Sequence, residues 1–461
     1  MRDTACDMTV GKPLPLLCKF ALPLMVGNVC QQLYVTMDTL IVGRGVGVDA
    51  LATLGAADWP TWAVLSVIIG LVQGFSLLVA QRFGAKDEKG VHKTVAVTLW
   101  LTLFSSLLLT AAALLGARPL LILLQTPQAI LEEALTYVRI LFACILFNGA
   151  YNAFSSILRA LGDGRTPLTA MLTASIANIL LDLLFVLGFG WGVAGAAVGT
   201  VLSQLLSALI CLRVMLRLPE LKMTREEAKW EGDLAGKLLK LGIPMALQNL
   251  IIAVGGLFVQ YMVNGNGVLF VAGYTATNKL YGLLELAAVS FGVAVSTFSG
   301  QNLGAGKIRR IRQGVRTAVF LGVGVAAVIA AVMILFGGNI VALFISGKPD
   351  EVEKVVAVAY EFLVIMAWAL PVLYLLHQYR SALQGMGNTV AAMVSGFFEL
   401  FMRVSAVLIL PRFLGPMGIF YAEPLAWIGA VAVLMPCCYR RIAQLRMEYP
   451  EGDQRVSGSW G

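Results

Sequence analysis

Charged side chains are scarce. They make up 13% of the 461 residues against 59% apolar ones, and the mean hydropathy is +0.83. An average soluble protein is about a quarter charged. A soluble globule of this length needs a charged surface, so a single soluble fold is excluded. Histidine is nearly absent, with only His92 and His377, so a membrane haem held by paired histidines is not expected. The cysteines Cys6, Cys18, Cys30, Cys144, Cys211, Cys437 and Cys438 form no C-x-x-C pair, and most lie inside apolar runs. That argues against a disulfide framework or a zinc site. There is no Walker A run, so ATP is not the direct energy source. No dense cluster of Asp, His and Arg marks a membrane enzyme, so neither a catalytic residue nor a cofactor is expected. The net charge is +8, but no basic stripe with interleaved aromatics accompanies it, so nucleic acid is not an expected partner. No cleavable leader is expected either. Arg2, Asp3, Asp7 and Lys12 precede the first apolar run, which is too long for a signal core.

What the chain does have is long apolar runs. Residues 94–116 and 317–336 carry no charge, and about 20 such residues match the thickness of a bilayer core. Reading between charged and Gly/Pro breaks predicts twelve spans, at 14–42, 49–82, 94–116, 129–158, 166–189 and 192–213, then 235–263, 268–303, 317–337, 352–379, 389–411 and 417–439. Several exceed 25 residues, which implies tilt or projection beyond the lipid. Alternating sides across these spans puts 26 of the 34 Lys and Arg on one side, Arg380 among them. Five fall on the other (Arg44, Arg118, Lys348, Lys354, Arg412), and Arg139, Lys279 and Arg403 lie inside spans. Basic residues stay in the cytoplasm. A multi-pass protein of the plasma (inner) membrane with both termini cytoplasmic is therefore expected.

The two halves resemble each other. The stretch leading to Pro23 answers the one leading to Pro244. Gln81-Arg82-Phe83-Gly84-Ala85-Lys86 answers Gln301-Asn302-Leu303-Gly304-Ala305-Gly306, and Leu161-Gly162-Asp163 answers Met386-Gly387-Asn388. The offsets are 221, 220 and 225. Six spans per half is an even number, so the repeats are parallel and two lobes are expected, 1–225 and 226–461, joined by a charged segment at 216–236. Paired bundles with a site between them are a recurring transporter plan. Pro23 and Pro244 mark either packing kinks or hinges.

The few polar residues inside spans are the candidate site. Asp38 lies mid-span, where an uncompensated carboxylate costs about 2.5–3.5 kcal/mol. Gln31, Tyr34 and Asp38 share one helix face by their i, i+3, i+7 spacing. Asn178 and Asp182 share another at i, i+4. Thr200 has Gly195 and Gly199 beside it, which permits close helix approach. Two carboxylates, an amide oxygen and a hydroxyl suit a hard cation such as sodium. Two neighbouring carboxylates equally suit a proton, because repulsion and burial raise one pKa. In the second half the corresponding positions are Val259, Arg403 and Val407, so the acids are missing there. Glu399 and Arg403 are spaced to pair. Glu285 is a candidate for a cationic substrate or for pairing with Lys279 or Arg403. Rim salt bridges are expected for Glu132, Arg139 and Glu361, and an interfacial place for His377. Gln31, Gln248, Gln260 and Glu285 are candidate substrate-cavity residues.

The run Gln31-Gln32-Leu33-Tyr34-Val35-Thr36-Met37-Asp38, the turn from Leu158 to Pro167, the pair Asn178 and Asp182, and the turn Gln301–Gly306 together resemble the multidrug and toxic compound extrusion (MATE) family, in order and over essentially the whole chain. The resemblance implies an all-α membrane protein of twelve helices in two pseudo-symmetric six-helix lobes forming a V. It also implies a cation-coupled exporter of amphipathic, often cationic compounds. It places Asp38, Asn178, Asp182 and Thr200 in an N-lobe cation site with Tyr34 nearby, and leaves sodium or protons open. A monomer in membrane lipid is expected. The competing reading is a flippase for lipid-linked saccharides, a related superfamily that often lines its cavity with more cationic residues.

Overall fold

The computed structural model describes residues 7–342 and 349–450. Arg2, Asp3, Cys6, Lys348 and Arg455 lie outside the described residues. Every regular element among the described residues is a helix: α1 (Pro13–Gly45), α2 (Val48–Gly84), α3 (Glu88–Leu123), α4 (Gln128–Ala143), α5 (Ile145–Ala160), α6 (Arg165–Asp182), α7 (Gly192–Met215), α8 (Gly232–Asn264), α9 (Val268–Gly304), α10 (Ile308–Ala342), α11 (Pro349–Gly385), α12 (Thr389–Ile409), α13 (Pro411–Leu414) and α14 (Ala422–Glu448). By length and composition, ten helical stretches among them are able to cross a membrane. At 36 residues, α3 is about 54 Å long, well beyond a hydrocarbon core of about 30 Å. The long helices therefore tilt or project, as their apolar runs suggest.

Three predicted spans are built differently from their neighbours. The fourth, 129–158, is broken at Cys144 into α4 and α5, where the Cys144 N–H turns back to Leu141 O at 3.2 Å. The eleventh and twelfth form one helical stretch, Thr389–Glu448, in which α13 and a 3-10 turn (Gly415–Tyr421) separate α12 from α14.

The internal repeat has a direct structural counterpart. Helices α1 and α8 are both 33 residues long, and α2 and α9 are both 37. Pro23 and Pro244 sit inside α1 and α8. The turns that stop the helices match as well. Gly162 (φ 89°) and Gly387 (φ 79°) both adopt the left-handed conformation that glycine tolerates. The next position caps the following helix in both halves: Asp163 Oδ1 accepts from Thr166 N (3.0 Å) and Asn388 Oδ1 from Ala391 N (3.2 Å).

The helices cluster into two compact units. One contains Leu22–Leu250; the other contains Gly11–Ala21 and the chain beyond Leu250. In the first, the charged segment between α7 and α8 is strapped to α3. His92 Nδ1 meets Glu227 Oε2 (3.1 Å), Lys93 Nζ donates to Glu231 Oε2 (3.1 Å) and Trp100 Nε1 donates to Ala228 O (3.3 Å). The Thr224 backbone N–H and hydroxyl, with His92, hold the Glu227 carboxyl below its ordinary range.

Candidate functional site

A small apolar cluster positions the predicted polar residues of the first unit. Ile41 and Val42 of α1, Ala50 of α2, Val193 and Ala196 of α7 and Val186 pack together, with Tyr137 of α4 and Ile179 of α6 against them. Val42 is one helical turn after Asp38, Val186 is one turn after Asp182, and Ala196 is one turn before Thr200. Docking the apolar residues thus brings the polar ones to a common level one turn away. Directly after Asp182, α6 gives way to a π-helical turn, Leu183–Gly188, a distortion frequent at functional sites.

Asp182 is fully buried, Asn178 is 1% exposed and Asp38 9%. Asn178 Nδ2 faces Asp182 Oδ1 at 3.5 Å, a long contact. Gly199 lies against the same carboxylate: a Cβ there would overlap Asp182 Oδ1. Asp38 and Asp182 lie within electrostatic range of each other, and Tyr34 within range of both. Thr200 is half-buried, one residue beyond Gly199. Within this group, Asp38 Oδ1, Asn178 Oδ1 and Asp182 Oδ2 are buried with no hydrogen-bond partner among the described residues. A buried acceptor left so costs about 1–3 kcal/mol, more when charged. A proton or a hard monovalent cation relieves that cost, and an all-oxygen donor set fits either. The described residues hold no cluster of three or more His, Cys, Asp or Glu suited to a metal ion. Here two carboxylates are joined by an amide.

Tyr137 also belongs to this site. It interacts electrostatically with Asp38, Asp58, Tyr34 and Asp182. The spacing within α4 does not point it at these acids, so only the packing of α4 reveals it.

The second unit holds a different arrangement. Glu399 accepts from Arg380 Nη2 at 2.6 Å and from Arg403 Nη2 at 3.2 Å, and Arg403 also donates to Glu423 Oε2 at 2.7 Å. The Glu399–Arg403 pair is as its spacing suggests. Arg380, however, is not a loop charge: it is buried within α11 and compensates Glu399 on α12. Two arginines and two glutamates neutralise one another there, which is how buried charge is tolerated. Gly255 on α8 leaves room for Arg403, since a Cβ would lie 2.6 Å from Nη1. Glu285 pairs with neither Lys279 nor Arg403 but with His377, at 3.3 Å. His377 is thus a partner of an acid. At the rim, Glu132 pairs with Arg118 (3.1 Å).

Of the four candidate cavity residues, Gln31 and Gln248 belong to the first unit and Gln260 and Glu285 to the second. Gln31 is exposed and Gln248 is 2% exposed. Gln260 Nε2 donates to Asn264 Oδ1 at 2.8 Å.

The MatE family model matches the chain twice, over residues 23–184 and 244–408. The chain belongs to the MatE family. The two matches begin at Pro23 and Pro244, the prolines that the internal repeat aligns, and the first ends two residues past Asp182. Members of this family are membrane transporters, so the chain is an efflux transporter of the cell membrane and not an enzyme. It is 32% identical over 350 residues to the probable multidrug resistance protein YpnP of Bacillus subtilis, covering 76% of this chain and 78% of that one. It is 28% identical over 358 residues to the probable multidrug resistance protein YoeA of the same organism, with 76% of each chain covered. To the probable multidrug resistance protein NorM of Thermotoga maritima it is 26% identical, over 90% of this chain and 88% of that one. The fold matches a crystal structure of MATE in complex with MaL6, with a TM-score of 0.88, 23% identity and coverage of 96% and 99%. It also matches a MOP superfamily transporter from Pyrococcus furiosus, with a TM-score of 0.88, 22% identity and coverage of 95% and 98%.

Proposed function

We propose that this MatE protein exports amphipathic or cationic drug-like compounds across the cell membrane by antiport against Na+ or H+. Twelve spans in two six-helix lobes alternate access between the two sides, with both termini in the cytoplasm. The multidrug resistance names of its relatives support the cargo class. The repeated helix lengths and the doubled family match support the two-lobe plan.

The observation that carries the coupling role is the set of partnerless oxygens on Asp38, Asn178 and Asp182, buried together in the first unit. Cation or proton entry occupies this site from outside, and its release inside resets the transporter. Tyr34, Thr200 and Tyr137 complete its polar wall. Gln31 and Glu285 keep enough exposure to touch cargo. The second unit's charge network is already neutralised internally, so coupling is assigned to the first. Nothing in the relatives' names or in the site favours flipping of lipid-linked saccharides.

The test is ethidium efflux from proteoliposomes under an imposed sodium gradient or an imposed proton gradient. Wild type responds to one of the two. Asp38→Asn and Asp182→Asn abolish that response while the protein remains folded. Undiminished coupled efflux in both variants overturns the assignment.

A further inference from the structure

The arginines at the start of α10 are not a diffuse collar. Arg309, Arg312, Gln313 and Arg316 of α10 and Arg446 of α14 line one pocket of about 430 Å³. Among the described residues, no acidic one lines it. Arg310, on the opposite side of the same helix, is used internally: its guanidinium donates to Asn302 Oδ1 (3.0 Å) and Gly11 O (2.7 Å). The pocket arginines are exposed.

Beyond these arginines the exposed side of α10 continues as an apolar strip. Phe320 lies one turn beyond Arg316, whose guanidinium sits 5.6 Å from the ring centroid. Val328, Val332, Leu335 and Phe336 follow, all exposed. Among the described residues this helix is the most apolar of the membrane-crossing candidates. An anion pocket therefore stands at the head of a strip that faces acyl chains. Arginine forks bind phosphate oxygens bidentately, and basic pockets at membrane-helix ends select anionic headgroups.

We propose that this pocket is a binding site for the phosphate headgroup of an anionic phospholipid, whose acyl chains lie along the exposed face of α10. A free phosphate shares the headgroup chemistry but makes no use of the apolar strip. The lipid is therefore the assigned occupant.

The test is native mass spectrometry of the full-length protein in detergent micelles doped with phosphatidylglycerol or phosphatidylcholine. Wild type retains one phosphatidylglycerol in preference to phosphatidylcholine. The triple variant Arg309→Gln, Arg312→Gln, Arg316→Gln loses that retention by about tenfold or more. Should the triple variant fail to fold, Arg312→Gln alone shows a partial loss. A control that removes equal charge elsewhere (Arg217→Gln, Lys222→Gln, Arg225→Gln) retains the lipid as wild type does. Unchanged retention in the pocket variants, or equal loss in the control, overturns the proposal. So does inorganic phosphate protecting the wild type against thermal unfolding as well as phosphatidylglycerol does, since that assigns the pocket to the free ion.

Discussion

A single methyl group separates packing from coupling in this protein. Gly195 and Gly199 are one turn apart on α7, and both face α6 and its π-helical end. A Cβ at Gly195 would lie 3.0 Å from Phe185 C and 3.1 Å from its O, so it would press on backbone. A Cβ at Gly199 would overlap Asp182 Oδ1 instead, with Asp182 Cγ at 3.5 Å. In both Gly→Ala variants the helix gains about 1 kcal/mol of propensity. Overpacking costs about 1–3 kcal/mol, so each variant ends within about 2 kcal/mol of wild type and folds. Their functions diverge. To escape the methyl, the Asp182 carboxylate must swing by on the order of 1 Å to regain van der Waals separation. A misplacement of that size costs about a hundredfold at a preorganised site. Gly199→Ala should therefore lose cation-coupled ethidium efflux in proteoliposomes by tenfold or more, with Asp38, Asn178 and Asp182 all still present. Gly195→Ala should stay coupled. Thermal unfolding in detergent reports the stability of each. Retained coupling in Gly199→Ala, or equal loss in both variants, refutes the reasoning that the position of this carboxylate matters.

Glu399→Gln leaves Arg380 and Arg403 buried with too little negative charge and should destabilise the protein by about 3–5 kcal/mol. Glu132→Gln, which breaks only the exposed pair with Arg118, should cost less than about 1 kcal/mol; thermal unfolding compares the two, and equal shifts refute the burial argument. Asp87 caps α3 by accepting from Gly90 N at 2.9 Å, and Asp87→Ala should cost about 1 kcal/mol at neutral pH. That hydrogen bond, with Arg82, holds the Asp87 carboxyl below its ordinary 3.8. The contribution is present above that value and is lost as pH falls through the lower folded pKa. The difference from wild type should therefore vanish in strong acid, as unfolding against pH will show.

Much of the helical plan was legible in the residues because lipid imposes a local rule. Every backbone polar group must be satisfied within the segment, so apolar runs of sufficient length become helices. The turns were legible for a similar reason: Gly162 and Gly387 stand where the chain needs a left-handed residue. The break at Cys144 was not, because no Gly or Pro marks it. Arg380 has no neighbour in the sequence that marks it as buried. Its position after a long apolar run looks like a helix end, but its partner Glu399 is on another helix. The same holds for Glu285 and His377. Tyr137 shares its face of α4 with Glu133, but that spacing does not say that the tyrosine meets Asp38 and Asp182.

The scarcity of charge thus divides by range. Composition, apolar length and the offset near 220 residues determined a doubled helical membrane protein. Spacing within single helices nominated Asp38 and the Asn178–Asp182 pair. Which charges neutralise one another, which tyrosine joins the acids and which arginines share a pocket was decided only by tertiary structure. Most of those contacts run between different helices, and helix periodicity orders a face without saying what that face will meet.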